Sequence, residues 1–194
     1  MKLALRLVLG SASPRRRELL GRLGLTFEVD PADIDESTRE GESPHAYVTR
    51  LAEEKARRVA QRHPGAAVLA ADTTVELDGR ALNKPRDHDE SADMLRALRG
   101  REHLVHTAIA LCLDGKVDTR TVTSRVRFRA FGEATLAGYV LSGEGLDKAG
   151  SYGIQDLGMA LVSEVHGSYT NVVGLPCAET VELLEQLGVL TAWP

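Results

Sequence analysis

Cysteine is scarce: the 194-residue chain has only Cys112 and Cys177. Their spacing fits neither a metal site nor a disulfide framework, so a reducing cytoplasm is the expected setting. No apolar run approaches the ~20 residues that cross a bilayer, so no membrane contact is expected. Basic residues are not in excess either, 24 Lys and Arg standing against 28 Asp and Glu for a net charge of -4. That balance excludes a surface built for bulk nucleic acid but leaves room for a small basic pocket. Internal repeats and low-complexity tracts are missing, as is the Gly-x4-Gly-Lys-Ser/Thr phosphate loop. The start, Met1 to Gly10, superficially resembles a signal peptide. Arg6 interrupts it and no suitable small-residue cleavage site follows, so it reads as a first strand.

What remains is an ordinary globular composition, 43% hydrophobic and 27% charged. The length suits one domain, 1–194, or two closely joined lobes with a real core. The central stretch is Val68-Leu69-Ala70-Ala71-Asp72-Thr73-Thr74-Val75-Glu76-Leu77. Its apolar start reads as an interior strand, and the alternation after it runs into an Asp78-Gly79 hairpin. Asp72 falls where the buried run ends. An acid there is costly unless paired or solvated, and a salt bridge or a turn cap is the plain explanation. The hairpin register sets Val75 opposite Leu82 and Thr73 opposite Lys84, so Lys84 returns to the level of Asp72 but on the face of Thr73.

Leu5 to Leu9 reads as a strand, Gly10 to Ser13 as a small-residue loop, and Ser13-Pro14 as a helix start. Strand, loop and helix N-terminus make an anion site. Arg15, Arg16 and Arg17 in the first turn oppose the helix dipole, which makes sense if an anion sits among them. The acidic run Asp33 to Glu42 reads as a solvated loop from which one carboxylate could reach a metal. A helix from Pro44 to about Arg62 carries Lys55 inside its apolar stripe. Such a lysine either snorkels to water or serves a polyanion. A helix capped by Asp87 or Asp89 ends at Gly100. His103–Leu113 and Lys116–Phe128 form a second hairpin, with Thr119, Thr121, Thr123, Arg125 and Arg127 expected to face solvent. His103 and His106 point to opposite faces and neither reads as a ligand. A short helix from Glu133 to Leu141 precedes the glycine-dense segment 142–155, whose Asp147, Lys148, Tyr152 and Gln155 are not linker composition. Met159–Val165 reads as a strand, and Pro176–Leu187 as the last helix.

Several of these segments, in order, resemble the Maf family of nucleoside-triphosphate pyrophosphatases. They are Gly10-Ser11-Ala12-Ser13-Pro14-Arg15-Arg16, Ala71-Asp72-Thr73, Asn83-Lys84-Pro85-Arg86-Asp87, Asp147 through Gln155, and Gly167 through Pro176. The resemblance implies an α/β fold: a mixed twisted sheet with flanking helices, two lobes around a central cleft, related to the inosine-triphosphate pyrophosphatases. It also implies a divalent cation, Mg²⁺ or Mn²⁺, a cytoplasmic location and frequent homodimers.

By position, Asp72 matches the catalytic acid. Arg15, Thr73 and Gln155 match substrate-selecting positions, Arg16, Lys55 and Lys84 the phosphate-binding cations, and Glu36 a second carboxylate near the metal beside Asp72. The Tyr152-Gly153-Ile154-Gln155 run resembles the branch acting on dTTP and UTP, whereas the 7-methyl-GTP branch usually differs there. Asp156 departs from the glycine that commonly follows the glutamine. The expected reaction is hydrolysis of a nucleoside triphosphate to monophosphate and pyrophosphate. The alternatives are a 7-methyl-GTP or other modified-nucleotide pyrophosphatase, and a non-catalytic nucleotide-binding regulator of cell division.

Overall fold

The computed structural model describes residues 2–192. Met1, Trp193 and Pro194, which fall inside the expected domain range, lie outside the described residues. The elements in order are β1 (Lys2–Leu3), β2 (Leu7–Leu9), α1 (Pro14–Arg22), β3 (Glu28–Val29), α2 (Pro44–Ala60), β4 (Ala67–Leu77), β5 (Arg80–Leu82) and α3 (His88–Leu98). They continue with β6 (Glu102–Leu113), β7 (Lys116–Phe128), α4 (Glu133–Leu141), β8 (Val162–His166), α5 (Tyr169–Val173), α6 (Cys177–Gln186) and β9 (Leu190–Ala192). The fold is thus mixed α/β, as the sequence implied. Among the described residues, no helix is long and apolar enough to cross a membrane.

The main sheet runs β3-β2-β4-β6-β7-β8, with β5 added beside β4. β2 pairs in parallel with β3 and β4, and the other ladders are antiparallel. Strand β4 is the axis. Along one edge β6 pairs with it from Val68 to Glu76. Along the other edge β2 reaches only Leu69, and β5 begins only at Val75. Residues 70–74 therefore face a gap between two strands, and Asp72 sits at its centre. A sheet edge left open in the interior needs other partners for its backbone groups. Here that opening forms the floor of a cleft.

Side-chain alternation divides the core cleanly. Leu7, Leu9, Leu69 and Ala71 point into a large cluster on one face. Val8, Val68 and Ala70 point to the other face, against Val48, Leu51, Ala52, Ala56 and Val59 of α2. Asp72 and Lys55 share that second face by the same two-residue and helical periods. The contact is rich in alanine, Ala52 and Ala56 meeting Ala70, Ala108 and Ala110. Small side chains let α2 lie close to the sheet, which brings Lys55 within reach of the strand.

Both hairpins match the sequence reading. Asp78 and Gly79, and again Asp114 and Gly115, take positive φ at both turn positions, the twist that suits two-residue hairpins. Asp87, rather than Asp89, caps α3 by accepting the Glu90 N–H. Three expectations need correction. Residues Leu157–Leu161 form a 3-10 turn, and the strand is confined to Val162–His166. A short helix, Tyr169–Val173, precedes the last one. Thr119 and Thr121 of β7 are not free to solvent, Thr119 donating to Glu53 and Thr121 bonding Thr49, whereas Thr123, Arg125 and Arg127 are exposed as expected. Helix α2 covers that part of the strand, which a reading of β7 in isolation does not include.

His103 and His106 are both buried and partnered within the protein, as expected of non-ligands. His106 bonds Glu76 and Thr123, whereas His103 bonds the Tyr152 hydroxyl at 2.8 Å and packs edge-on against Phe128. Burial pushes the His103 pKa down from 6.5 to about 4. The unfolded chain then takes up this proton first, so stability is complete above pH 6.5 and falls as the pH drops toward 4. At ~1.4 kcal/mol per pH unit the loss approaches about 3 kcal/mol across that window. Urea unfolding followed between pH 7 and 4.5 is expected to show this slope, and His103→Gln to flatten it; an equal slope in both proteins contradicts the assignment.

Candidate active site

The residues singled out in the sequence converge on one cleft of about 490 Å³, at the open stretch of β4. That volume lies in the ~300–1,000 Å³ range of small-molecule sites. Arg15, Arg16, Glu36, Lys55, Asp72, Thr73, Lys84 and Gln155 all line it. Arg17 and Arg86 do not. Arg17 is exposed outside the wall, and Arg86 turns back to Glu90 at 2.9 Å.

The floor is an ion triad. The Lys55 ammonium lies 2.6 Å from Asp72 Oδ1 and 2.7 Å from Glu36 Oε1. The side chains of Lys55 and Asp72 are each only 10% exposed. Burial raises the Asp72 pKa above the ordinary carboxylate value, while the charges of Lys55 and Arg16 pull against it. Burial also acts to raise that of Glu36, but the bond to Lys55 and the charges of Lys84 and Arg16 hold it below its usual value. Lys84 itself stands exposed at the rim, beyond the end of β5. The β4–β5 ladder ends at Val75 and Leu82, so alternation no longer assigns Lys84 a face, and the partner of Asp72 is the lysine of α2.

Glu36 belongs to the polar segment between β3 and α2, and the helix holds that segment in place. The Tyr47 hydroxyl donates to the Glu36 carbonyl at 2.8 Å. Arg50 forks onto Glu42 at 2.6 and 2.7 Å and donates to the Ser37 carbonyl. Two side chains one turn apart on α2 thereby fix a loop whose sequence shows only a charge run.

Arg16 is not a free cation. Its Nε donates to the Gly174 carbonyl, one terminal nitrogen to Ser11 Oγ and the Ala71 carbonyl, and the other to Thr73 Oγ1, all within 3.1 Å. Four of the five guanidinium N–H groups are engaged, leaving one. The Ala71 carbonyl is a backbone acceptor on the unpaired edge of β4, so Arg16 replaces the missing strand. Burial lowers its pKa, with the charge of Asp72 opposing. Thr73 is engaged as well. Thr107 donates to the Asn171 carbonyl, so Thr73 accepts from Arg16 and donates to Thr107 at 3.0 Å. Gly174, with φ +121, closes against this group; a Cβ there would stand 3.5 Å from Thr73 Oγ1 in a backbone region that side chains avoid.

Arg15, by contrast, points across the mouth. It pairs at 3.1 Å with Asp147, which also holds Lys148 at 2.7 Å. Against burial, which raises it, these two cations keep the Asp147 pKa below the usual range. The helix α1 behind Arg15 begins as expected, with Ser13 capping the Arg16 N–H and Pro14 in the first turn. Its free amide end faces the cleft beside the Gly10–Ser13 loop. Gln155 lines the opposite wall, while Asp156 is exposed and outside it, so this departure from the family pattern stays clear of the cleft. Sequence reasoning missed Tyr47, Asn83, Asn171 and Glu144. Their partners lie from 5 residues away, as for Glu144 and Tyr139, to 66 away, as for Asn171 and Val105, and only Asn83 and Asn171, inside the family-like motifs, carried a local signal.

The profile of Maf-like proteins matches residues 6–187. A dTTP/UTP pyrophosphatase from Myxococcus xanthus (strain DK1622) is 55% identical, covering 96% of this chain and 95% of that protein. A protein of the same name from Escherichia coli O157:H7 is 50% identical, covering 95% of this chain and 94% of its own. The solved structure of a HAM1 protein from Coxiella burnetii is similar with a TM-score of 0.48 and 19% identity, covering 94% of this chain and 98% of that one. With a match that runs through every wall of the cleft, the chain belongs to the Maf family.

Proposed function

We propose that this protein hydrolyses the bond between the α- and β-phosphates of nucleoside triphosphates, dTTP and UTP in particular, releasing the monophosphate and pyrophosphate. The observation that carries the reading is the Lys55 ammonium between Asp72 and Glu36, at the floor of a cleft rimmed by Arg15, Lys84 and a helix N-terminus. The names of the relatives, dTTP/UTP pyrophosphatase, support the same substrates.

Asp72 is the group we assign to take a proton from the attacking water, at Oδ1 or Oδ2. Lys55 orients this carboxylate and balances its charge. Arg15 and Lys84 are placed to hold phosphate oxygens, Arg15 exchanging Asp147 for the substrate. Arg16 contributes its one remaining N–H and fixes Thr73. Gln155, with a donor and an acceptor on one amide, suits the edge of a pyrimidine.

A divalent cation fits this donor set. Two hard carboxylate oxygens converge on one cationic point, and Mg²⁺ takes one or two carboxylates with phosphates and water completing its shell. Asp72 and Glu36 would hold it, and its chemistry when bound is to neutralise charge developing on the phosphate oxygens. The reading extends to a cytoplasmic setting, consistent with two free thiols, and to a single two-lobed domain that forms homodimers.

Pyrophosphate release from a panel of dTTP, UTP, CTP, GTP and 7-methyl-GTP with Mg²⁺ or Mn²⁺ tests the function. Turnover of dTTP and UTP is expected; turnover of 7-methyl-GTP alone, or binding without release, contradicts it. Asp72→Asn is expected to lower kcat on dTTP by about 10²–10⁴-fold, the usual contribution of a proton acceptor, with the fold retained. A near wild-type rate removes Asp72 from this role. Arg16→Lys cannot serve four acceptors, and leaving buried carbonyls unpaired is expected to cost about 2 kcal/mol or more in urea unfolding. Arg15→Lys is expected to weaken dTTP binding without that loss. Equal stability of the two variants contradicts the distinction between them.

A further inference from the structure

We propose that Tyr139 and Glu144, which stand behind the cleft wall, form a clamp that sets nucleobase selection by fixing both ends of the segment that presents Gln155. The proposal rests on the nucleotide reading above and assigns positioning residues to it. The Gly153 N–H donates to the Tyr139 hydroxyl at 3.1 Å, and that hydroxyl donates to Glu144 Oε1 at 2.8 Å. The same carboxylate accepts the Gly158 N–H at 2.9 Å on Oε1 and the Leu157 N–H at 2.8 Å on Oε2. A ring of four hydrogen bonds thus runs from the residue two before Gln155 to the residues two and three after it. Burial raises the Tyr139 pKa, so the phenol keeps the proton it donates.

Two glycines complete the clamp because the backbones within it touch. A Cβ on Gly158 would lie 2.4 Å from the Gly153 carbonyl oxygen and 2.9 Å from the Tyr139 hydroxyl. A Cβ on Gly153 would lie 2.6 Å from Lys148 Cε. Residues 154–156, ahead of the 3-10 turn, have no helix or strand of their own. Ile154 is anchored in the core, and Gln155 lines the cleft.

The chemistry makes such a clamp necessary. A glutamine amide presents donor and acceptor in either order after a half-turn, so it does not by itself choose a base. Choice requires that the amide stand at a fixed depth, where a one-ring base reaches it and a two-ring base collides. Ile154 anchors one side of Gln155 in the core, and Tyr139 and Glu144 fix the backbone at both ends of the segment. Neither residue lines the cleft, so they act through position alone.

The test is binding rather than turnover. Calorimetry with α,β-methylene-dUTP, α,β-methylene-dATP and base-free inorganic triphosphate, each with Mg²⁺, is carried out on the wild type, Tyr139→Phe and Glu144→Gln. The expected result is a fall of about tenfold in the dUTP-to-dATP affinity ratio in both variants, the worth of a lost well-placed hydrogen bond, with triphosphate affinity unchanged. An unchanged ratio overturns the proposal, as does an equal loss for all three ligands, which would mark the pair as general support for the cleft. A wild type that binds both nucleotide analogues equally overturns it too. If Glu144→Gln fails to fold, Tyr139→Phe, which leaves both backbone bonds to Glu144 in place, decides alone. Failure of the hydrolytic reading shows separately, as analogue binding without pyrophosphate release from dTTP.

Discussion

A lysine ammonium held between two carboxylates is the interaction on which the cleft depends. Lys55 and Asp72 meet in a place with little water, and removing one partner of such a pair typically costs about 3–5 kcal/mol. The pair sets conditions on everything around it. Helix α2 must lie close to the sheet, which the alanines on both surfaces permit. Strand β4 must be free of a neighbour at residues 70–74, which the early end of β2 and the late start of β5 provide. The Glu36 loop must be tied to the same helix, which Tyr47 and Arg50 achieve.

The open edge creates a second requirement, which separates the cations into two kinds. Arg16 satisfies the Ala71 carbonyl left without a strand partner, reaches Gly174 and orients the Thr73 hydroxyl, so four of its five N–H groups are engaged within the protein. Arg15, Lys84 and Lys148 stand at the surface of the cleft, with Arg15 and Lys148 paired to the same Asp147. An incoming polyanion competes with one carboxylate for Arg15, a modest exchange for a partly exposed pair. In the proposed function, recognition of phosphate and maintenance of the cleft thus fall to adjacent residues of one helix.

Much of this was legible in the sequence, for local reasons. The hairpin at Asp78-Gly79, the cap at Ser13, and Lys55 within an apolar stripe all follow from short-range patterns that the structure keeps. The family-like motifs contain Asp72 and Gln155, the resemblance added Glu36 from the acidic run outside them, and all three line the cleft. What was not legible depends on distant partners. Arg16 reads as one more arginine until Gly174 and Ala71 are brought beside it, 158 and 55 residues away. Thr119 and Thr121 of β7 read as solvent-facing because α2, which carries their partners Glu53 and Thr49, lies far back in the chain. The strand expected from Met159 begins three residues late, because Leu157–Leu161 folds as a 3-10 turn against the Glu144 carboxylate.

Two carboxylates that share one lysine are also the donor set proposed for the divalent cation, so their joint action is the centre of the account. Mn²⁺ binding followed by electron paramagnetic resonance, in the presence of α,β-methylene-dUTP, measures it without turnover. The account predicts that Asp72→Asn and Glu36→Gln each weaken Mn²⁺ binding by about tenfold or more, as expected when one of few carboxylate donors is lost. Wild-type Mn²⁺ affinity in both variants would contradict it.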